Sequence, residues 1–384
     1  MSVVWFLIVI CVVVLVHELG HFWSALLLKI KVETFAIGFG PSIIKKKLKG
    51  IEYKLNLLPI GGYVNIKGQE SDQKGKDSFS ERSVWQRLIV IVAGVVMNFL
   101  TASVIFYILL ARSSFEYTFD YSILDLGKEP LFGSLEKKSE RTLYYSGFVK
   151  DDLHFAKNSG MPKYGYVNAI NGTRLKDGDD LSNYLSKVSG QEVTLSVMNI
   201  ETDKEEDYLV KIADDGKLGI YLIDYVSILV DYQGMDKVLA GFEHSINLVQ
   251  YQGRILGSIV SIAIKNNDPS IVRDIFSGPV AVYQTVDAVS KDSVNVIDDM
   301  LLLTALISLN LAIVNILPIP MLDGGYVVFL LLELVRGKKL SKKREGLIIT
   351  IGIVIMVLLS VLFFVNDILR YTERSDLFEI EQGL

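Results

Sequence analysis

The chain is short of the residues that build most metal and redox sites. Of its 384 residues one is cysteine, Cys11, and four are histidine. A lone cysteine excludes an internal disulfide and a cysteine-held metal cluster, so any metal must be bound by His, Asp and Glu. Positive charge is also in deficit. The 39 Lys and Arg stand against 44 Asp and Glu, a net charge of −5, which argues against nucleic acid as a partner. Charged residues make up only 22% of the chain and hydrophobic residues 50%. That balance is too apolar for an ordinary soluble protein, yet it leaves room for a sizeable aqueous domain. Internal repeats and low-complexity tracts are absent.

What is present is a set of long apolar runs. Four reach the roughly 20 residues needed to cross a bilayer: about 3–28, 88–111, 299–320 and 347–365. The first has no Lys or Arg before Lys29 and reads as a retained span, not a cleaved signal peptide. Net charge is +6 from Lys29 to Arg87 and +4 from Glu333 to Glu345, but −9 from Arg112 to Asp298 and −3 from Asn366 onward. The positive-inside rule places the two basic stretches in the cytoplasm and the acidic ones, with both termini, outside. Four spans satisfy this alternation throughout.

The expected fold is a multi-pass α-helical membrane protein with four transmembrane helices, a membrane-associated β-region and an extracytoplasmic β-rich domain. Its segments are a first span at 1–28, the β-region at 29–87, a second span at 88–111, an irregular linker at 112–140 and the β-rich domain at 141–225. An amphipathic helical region at 226–298 leads to a third span with its breaker motif at 299–335. A cytoplasmic loop at 336–346, a fourth span at 347–365 and a tail at 366–384 complete the chain. In the β-region, Ile51, Tyr53, Leu55 and Leu57 alternate with polar residues, as in a strand. Either a small cytoplasmic hairpin or a loop dipping into the membrane fits this pattern. The second is tolerated only where protein or water covers the backbone.

The first span contains His17-Glu18-Leu19-Gly20-His21. HExxH on a helix sets two imidazoles on one face with a carboxylate beside them, the pattern of a zinc hydrolase. Ionisable residues inside a span are costly and mark function. Catalytic zinc takes three protein ligands. His17 and His21 supply two, and Asp323 is the best candidate for the third. His154 and His244 fall in the outside region and have ordinary surface or packing roles. Asp323 follows Pro318 and Pro320, which break the third span, so its carboxylate is expected to hang from unwound backbone. As helices, His21 lies roughly 12 Å from Lys29 and Asp323 roughly 20 Å from Arg336, so both sit in the cytoplasmic half of the membrane. Glu18 is the expected general base and acid. Substrate contacts are expected at Asn310, Asn315 and Pro318, and at Gly61, Gly62 and Tyr63, whose strand could catch an unwound substrate by strand addition.

These residues resemble the site-2 protease family of intramembrane zinc metalloproteases, RseP type. HExxH is matched by His17–His21, and NxxPxxxLDG by Asn315 through Gly324. Gly38–Pro41 and Leu58–Val64 resemble the family's membrane-associated β-region, and Ser277–Val280 the segment that leads into the third span. The resemblance implies zinc on His17, His21 and Asp323, Glu18 as the acid/base and Asn315 as a substrate-handling residue. It implies location in the bacterial inner membrane and cleavage of single-span proteins there, such as trimmed anti-sigma factors or remnant signal peptides. An upstream site-1 protease is an implied partner. The outside domain would be PDZ-like, one copy where the RseP type carries two. Where such domains carry Gly-Asp, this chain has Tyr164-Gly165, which favours a size filter over capture of peptide tails. A silent scaffold and a cation transporter are the competing readings. Intact Glu18 weighs against the first and the lack of inverted repeats against the second.

Overall fold

The structure, a computed structural model, describes residues 1–69, 73, 75–122, 131–137, 142–148, 155–162, 164–176, 178–200, 202, 204–265, 278–293, 295–339 and 341–382. They divide into two compact units. One comprises Met1–Arg112, Leu239–Val249 and Ile259–Leu384, the other Ser113–Val238 and Gln250–Ser258.

The first unit is helical with one β-hairpin. Helix α1 (Ser2–Leu27) leads into strands β1 (Val32–Leu48) and β2 (Ile51–Ile66), and helix α2 (Val84–Arg112) follows. The hairpin curls on itself. Phe35 faces Val64 and also Tyr53, while Leu48 faces Ile51 at the turn. Asn56 is buried and pins the bend, accepting from Ser42 Oγ at 2.9 Å and donating to the Gly38 carbonyl at 2.8 Å. Phe22, Val32, Phe35, Ile51, Val90 and Leu330 form the core beneath it. Such burial of Phe, Val, Ile and Leu side chains contributes roughly 1.5–3 kcal/mol each.

Four helices are long and apolar enough to cross a membrane: Ser2–Leu27, Val84–Arg112, Val296–Ile316 and Lys343–Val365. Their exposed positions are apolar, among them Ile89, Val104, Val357 and Val361. Apolar residues exposed along such helices face lipid, not water. The chain is a multi-pass helical membrane protein with a β-rich region.

The second unit is a mixed-length antiparallel sheet. Its strands are β3 (Glu116–Ser122), β4 (Ser134–Lys137), β5 (Thr142–Phe148), β6 (Gly165–Ile170), β7 (Thr173–Arg174), β8 (Glu192–Asn199), β9 (Lys204–Lys211) and β10 (Ile220–Asp231). The order is β3-β10-β5-β6-β8-β9, with β4 on β10 and β7 on β6. Helices α3 (Phe155–Asn158) and α4 (Gly178–Lys187) accompany it, and Tyr145, Ile170, Leu181, Leu195, Val197 and Ile212 are buried in its core. Helix α5 (Asp236–Lys265) supplies residues to both units.

The structure departs from the sequence expectations at four places. Residues 112–140 include two strands of the sheet. In the sequence, Tyr117, Phe119 and Tyr121 alternate with Thr118 and Asp120, the period of a strand, a signal outweighed by the charged residues around it. Within 226–298, residues up to Asp231 belong to β10, α5 and α6 (Pro279–Asp292) follow, and the next helix already begins at Val296. The segment 299–335 is two helices, α7 (Val296–Ile316) and α8 (Asp323–Arg336). The tail after 365 is not separate from the last span, because α9 runs from Lys342 to Gln382. No Gly or Pro interrupts residues 353–382, so the backbone has no reason to stop where hydrophobicity does.

Candidate metal centre

Helix α1 carries His17 and His21 one turn apart, so their rings meet edge to face with centroids 4.8 Å apart. Their Nε2 atoms are 3.1 Å from each other. Oδ2 of Asp323 lies 3.2 Å from Nε2 of His17 and 3.5 Å from Nε2 of His21. Asp323 does not hang from unwound backbone. Pro318 and Pro320 end α7, and Leu322 caps a new helix whose first residue is Asp323. A carboxylate at a helix N-terminus is favoured by the backbone dipole, which explains why helix resumes there.

The donor set fits a cation. Oδ2 of Asp323 is buried and no hydrogen-bond donor is aimed at it. An unsatisfied buried carboxylate oxygen is costly, and two ring nitrogens beside it add lone pairs, not relief, when both carry their protons on Nδ1. The surroundings favour that tautomer. His21 Nδ1 donates to the Val90 carbonyl at 2.8 Å. The Asn98 amide lies 3.4 Å from His17 Nδ1, and its own Oδ1 is buried without a partner. Turning that amide over lets Oδ1 accept from His17 Nδ1–H and satisfies both groups. Each ring then points a lone pair at the place Asp323 faces, the arrangement typical of metal-binding histidines. His17, His21 and Asp323 could hold a metal ion as two nitrogens and one oxygen, all within 4.8 Å of one another.

Glu18 is half-buried beside this cluster, with the backbone of β2 at Gly62 and Val64 near its side chain. Strand β2 thus reaches the site. At Gly62 a Cβ would lie 3.7 Å from Cγ of Glu18 and 2.8 Å from the Ala36 carbonyl oxygen. Gly61, Gly62 and Tyr63 are part of this stretch and partly exposed. The Asn315 amide nitrogen is 3.4 Å from His17 Nε2. Pro318 is exposed in the turn between α7 and α8. Asn310 is exposed on α7, about 140° around the helix from Asn315, and is not brought to the cluster. His244 is fully buried on α5 with its ring 4.9 Å from Phe106, a packing position, while His154 lies outside the described residues.

Two contributors from α2 were absent from the sequence reading, Gly94 and Asn98. A Cβ at Gly94 would stand 2.5 Å from His21 Nε2 and 2.7 Å from His17 Cε1, so only glycine lets α2 close over the imidazoles. Gly and Asn four residues apart in an apolar span share a helix face, and that spacing was the available signal.

Comparison with known proteins agrees with this geometry. Residues 5–359 match Peptidase family M50. A relative from Campylobacter jejuni is 29% identical, covering 94% of this chain and 92% of its own length. The regulator of sigma-W protease RasP of Bacillus subtilis is 24% identical over 96% of this chain and 98% of its own. The chloroplastic membrane metalloprotease ARASP of Arabidopsis thaliana is 29% identical over 94% and 77%. With the family matched along most of its length, the chain belongs to Peptidase family M50, the site-2 protease family, and is a metalloprotease.

Proposed function

We propose that this protein is a zinc-dependent endopeptidase of the bacterial inner membrane that cleaves single-span proteins within their membrane segments. The observation that carries the reading is the convergence of Asp323 with His17 and His21, the two histidines lying with Glu18 in a helix apolar enough to span a bilayer. His17, His21 and Asp323 hold zinc. Bound there, zinc supplies Lewis-acid chemistry for hydrolysis of an amide. Glu18 takes a proton from the attacking water and delivers it to the leaving amine.

A substrate helix hides its carbonyls in its own hydrogen bonds and must open before it is cut. The stretch Gly61–Ile66 has β1 on one side and no further strand pairing among the described residues. It is therefore suited to receive an extended segment by strand addition, with Gly61, Gly62 and Tyr63 as contacts. Asn315, and in the same region Pro318, line the approach from α7. The β unit acts as a PDZ-like size filter outside the cytoplasm, which restricts the enzyme to substrates already trimmed by a site-1 protease. In this reading both termini lie outside and the metal sits in the cytoplasmic half of the membrane, as the alternation of basic and acidic flanks supports.

The test is cleavage of a tagged single-span substrate in liposomes by the wild type and Glu18→Gln, each with and without a zinc chelator. Loss of cleavage in the variant and the chelated sample, with zinc retained by Glu18→Gln, supports the reading. Cleavage by a zinc-loaded Glu18→Gln protein would refute it.

A further inference from the structure

The turn of the β1–β2 hairpin carries an unbalanced cluster of positive charge. Lys45, Lys46, Lys47 and Lys49 surround it, and Lys54 sits directly across from Lys45. Like charges opposite one another on a ladder repel. Glu52 offsets only two of them, pairing with Lys45 at 2.6 Å and Lys54 at 2.8 Å. These two ammonium groups hold its carboxyl below the usual carboxylate range. Lys46, Lys47 and Lys49 are exposed, and no carboxylate among the described residues lies within ion-pair distance of them. Lys49 and Gly50 both have positive φ, at 49° and 85°, so the turn is tight and its lysines are displayed from a fixed backbone.

One rung along the ladder the character changes. Ile44 faces Leu55, and both are exposed. Ile43 is 63% exposed, and Leu57 and Leu58 follow with more than half their surface free. A cationic end joined within about 3.4 Å to an apolar end matches the boundary between headgroups and acyl chains. Nucleic acid or an acidic peptide would satisfy the lysines and leave the apolar end in water. The basic flank of the first span puts the hairpin on the cytoplasmic leaflet, where anionic lipid concentrates.

We propose that Lys46, Lys47 and Lys49 bind anionic phospholipid headgroups while Ile43, Ile44, Leu57 and Leu58 enter the acyl layer. The lipid-held hairpin then keeps Gly61–Val64 against Glu18, a consequence that rests on the proteolytic function proposed above. Lipid charge thereby sets how well the strand is placed for substrate.

The experiment uses the full chain with Cys11→Ser and Ile44→Cys, labelled with a bimane fluorophore at position 44. It is reconstituted in phosphatidylcholine vesicles with or without phosphatidylglycerol, each doped with brominated lipid. Quenching is expected to rise several-fold with phosphatidylglycerol and to fall back in high salt. The triple variant Lys46→Gln, Lys47→Gln, Lys49→Gln should lose the response, and the triple Arg replacement should keep it. Quenching that ignores phosphatidylglycerol, or that persists in the Gln triple variant, overturns the lipid site. Substrate cleavage in the same vesicles is read separately. Lipid-dependent quenching without cleavage in any vesicle leaves the lipid site standing and counts against the proteolytic reading alone.

Discussion

Gly94 on α2 lies so close to His21 on α1 that a Cβ in its place would be 2.5 Å from Nε2. The neighbours are two imidazoles already fixed by Val90 and Asn98, so they have little freedom to retreat. Gly94→Ala should therefore push α2 outward or turn a ring. A displacement of about 1 Å at a catalytic group costs on the order of 100-fold in rate. Zinc content of the purified variant and its cleavage rate should fall together. A variant with full zinc and wild-type rate would show that α2 is free to move away.

Asp323 and Glu18 separate binding from chemistry. Asp323→Ala removes the one anionic donor of the cluster and should release the metal, measured as zinc per protein after dialysis against a weak chelator. Glu18→Gln keeps the shape of the side chain, so zinc should remain while cleavage falls by about 10²–10⁴-fold, the usual worth of a general acid or base. Equal zinc loss in both variants would mean Glu18 is a ligand instead.

A buried ion pair ties the helix of Asp323 to the helix of Gly94. Arg87 Nη2 donates to Glu333 Oε1 at 2.5 Å, both side chains are largely buried, and Arg87 Nε also donates to the Arg82 carbonyl. Removing one partner strands the other charge, which costs about 3–5 kcal/mol, whereas replacing both with apolar residues is often neutral. Arg87→Met and Glu333→Leu should each lower the thermal midpoint in detergent, and the double variant should recover most of the loss. Additive losses would show that the pair is not coupled.

How much of this was legible follows from where each signal resides. His17 and His21 share a helix face by spacing alone, and Asp323 stood out because a carboxylate follows two prolines in an apolar run. Those are local facts. The part played by Gly94 is not local, since a glycine in a span carries no sign of which imidazole it will meet across the α1–α2 contact. Asn98 is similar, as its meaning comes from Nδ1 of His17, 81 residues away in sequence. Tyr117, Phe119 and Tyr121 were a local strand signal outweighed by the charged residues around it, and their pairing with β10, about a hundred residues on, is not local. The helical start at Asp323 was masked by the prolines before it, which announce a break without saying how soon helix resumes.

His244 gives a pH prediction outside the spans. Burial with its ring against Phe106 pushes its pKa down from 6.5 to about 3. The unfolded chain therefore takes up a proton below pH 6.5 that the folded protein refuses until about pH 3. The stabilisation of the fold is full above pH 6.5 and declines as pH falls through that window, by at most about 1.4 kcal/mol per pH unit. Carboxylates join the titration near the acid end, so the clean range is pH 6.5 to 5. Thermal midpoints measured across that range should fall for the wild type, and His244→Leu should fall less, by an amount on the order of 1–2 kcal/mol at pH 5. An unchanged slope in the leucine variant would mean that the imidazole reaches solvent or a proton-accepting partner in the folded state.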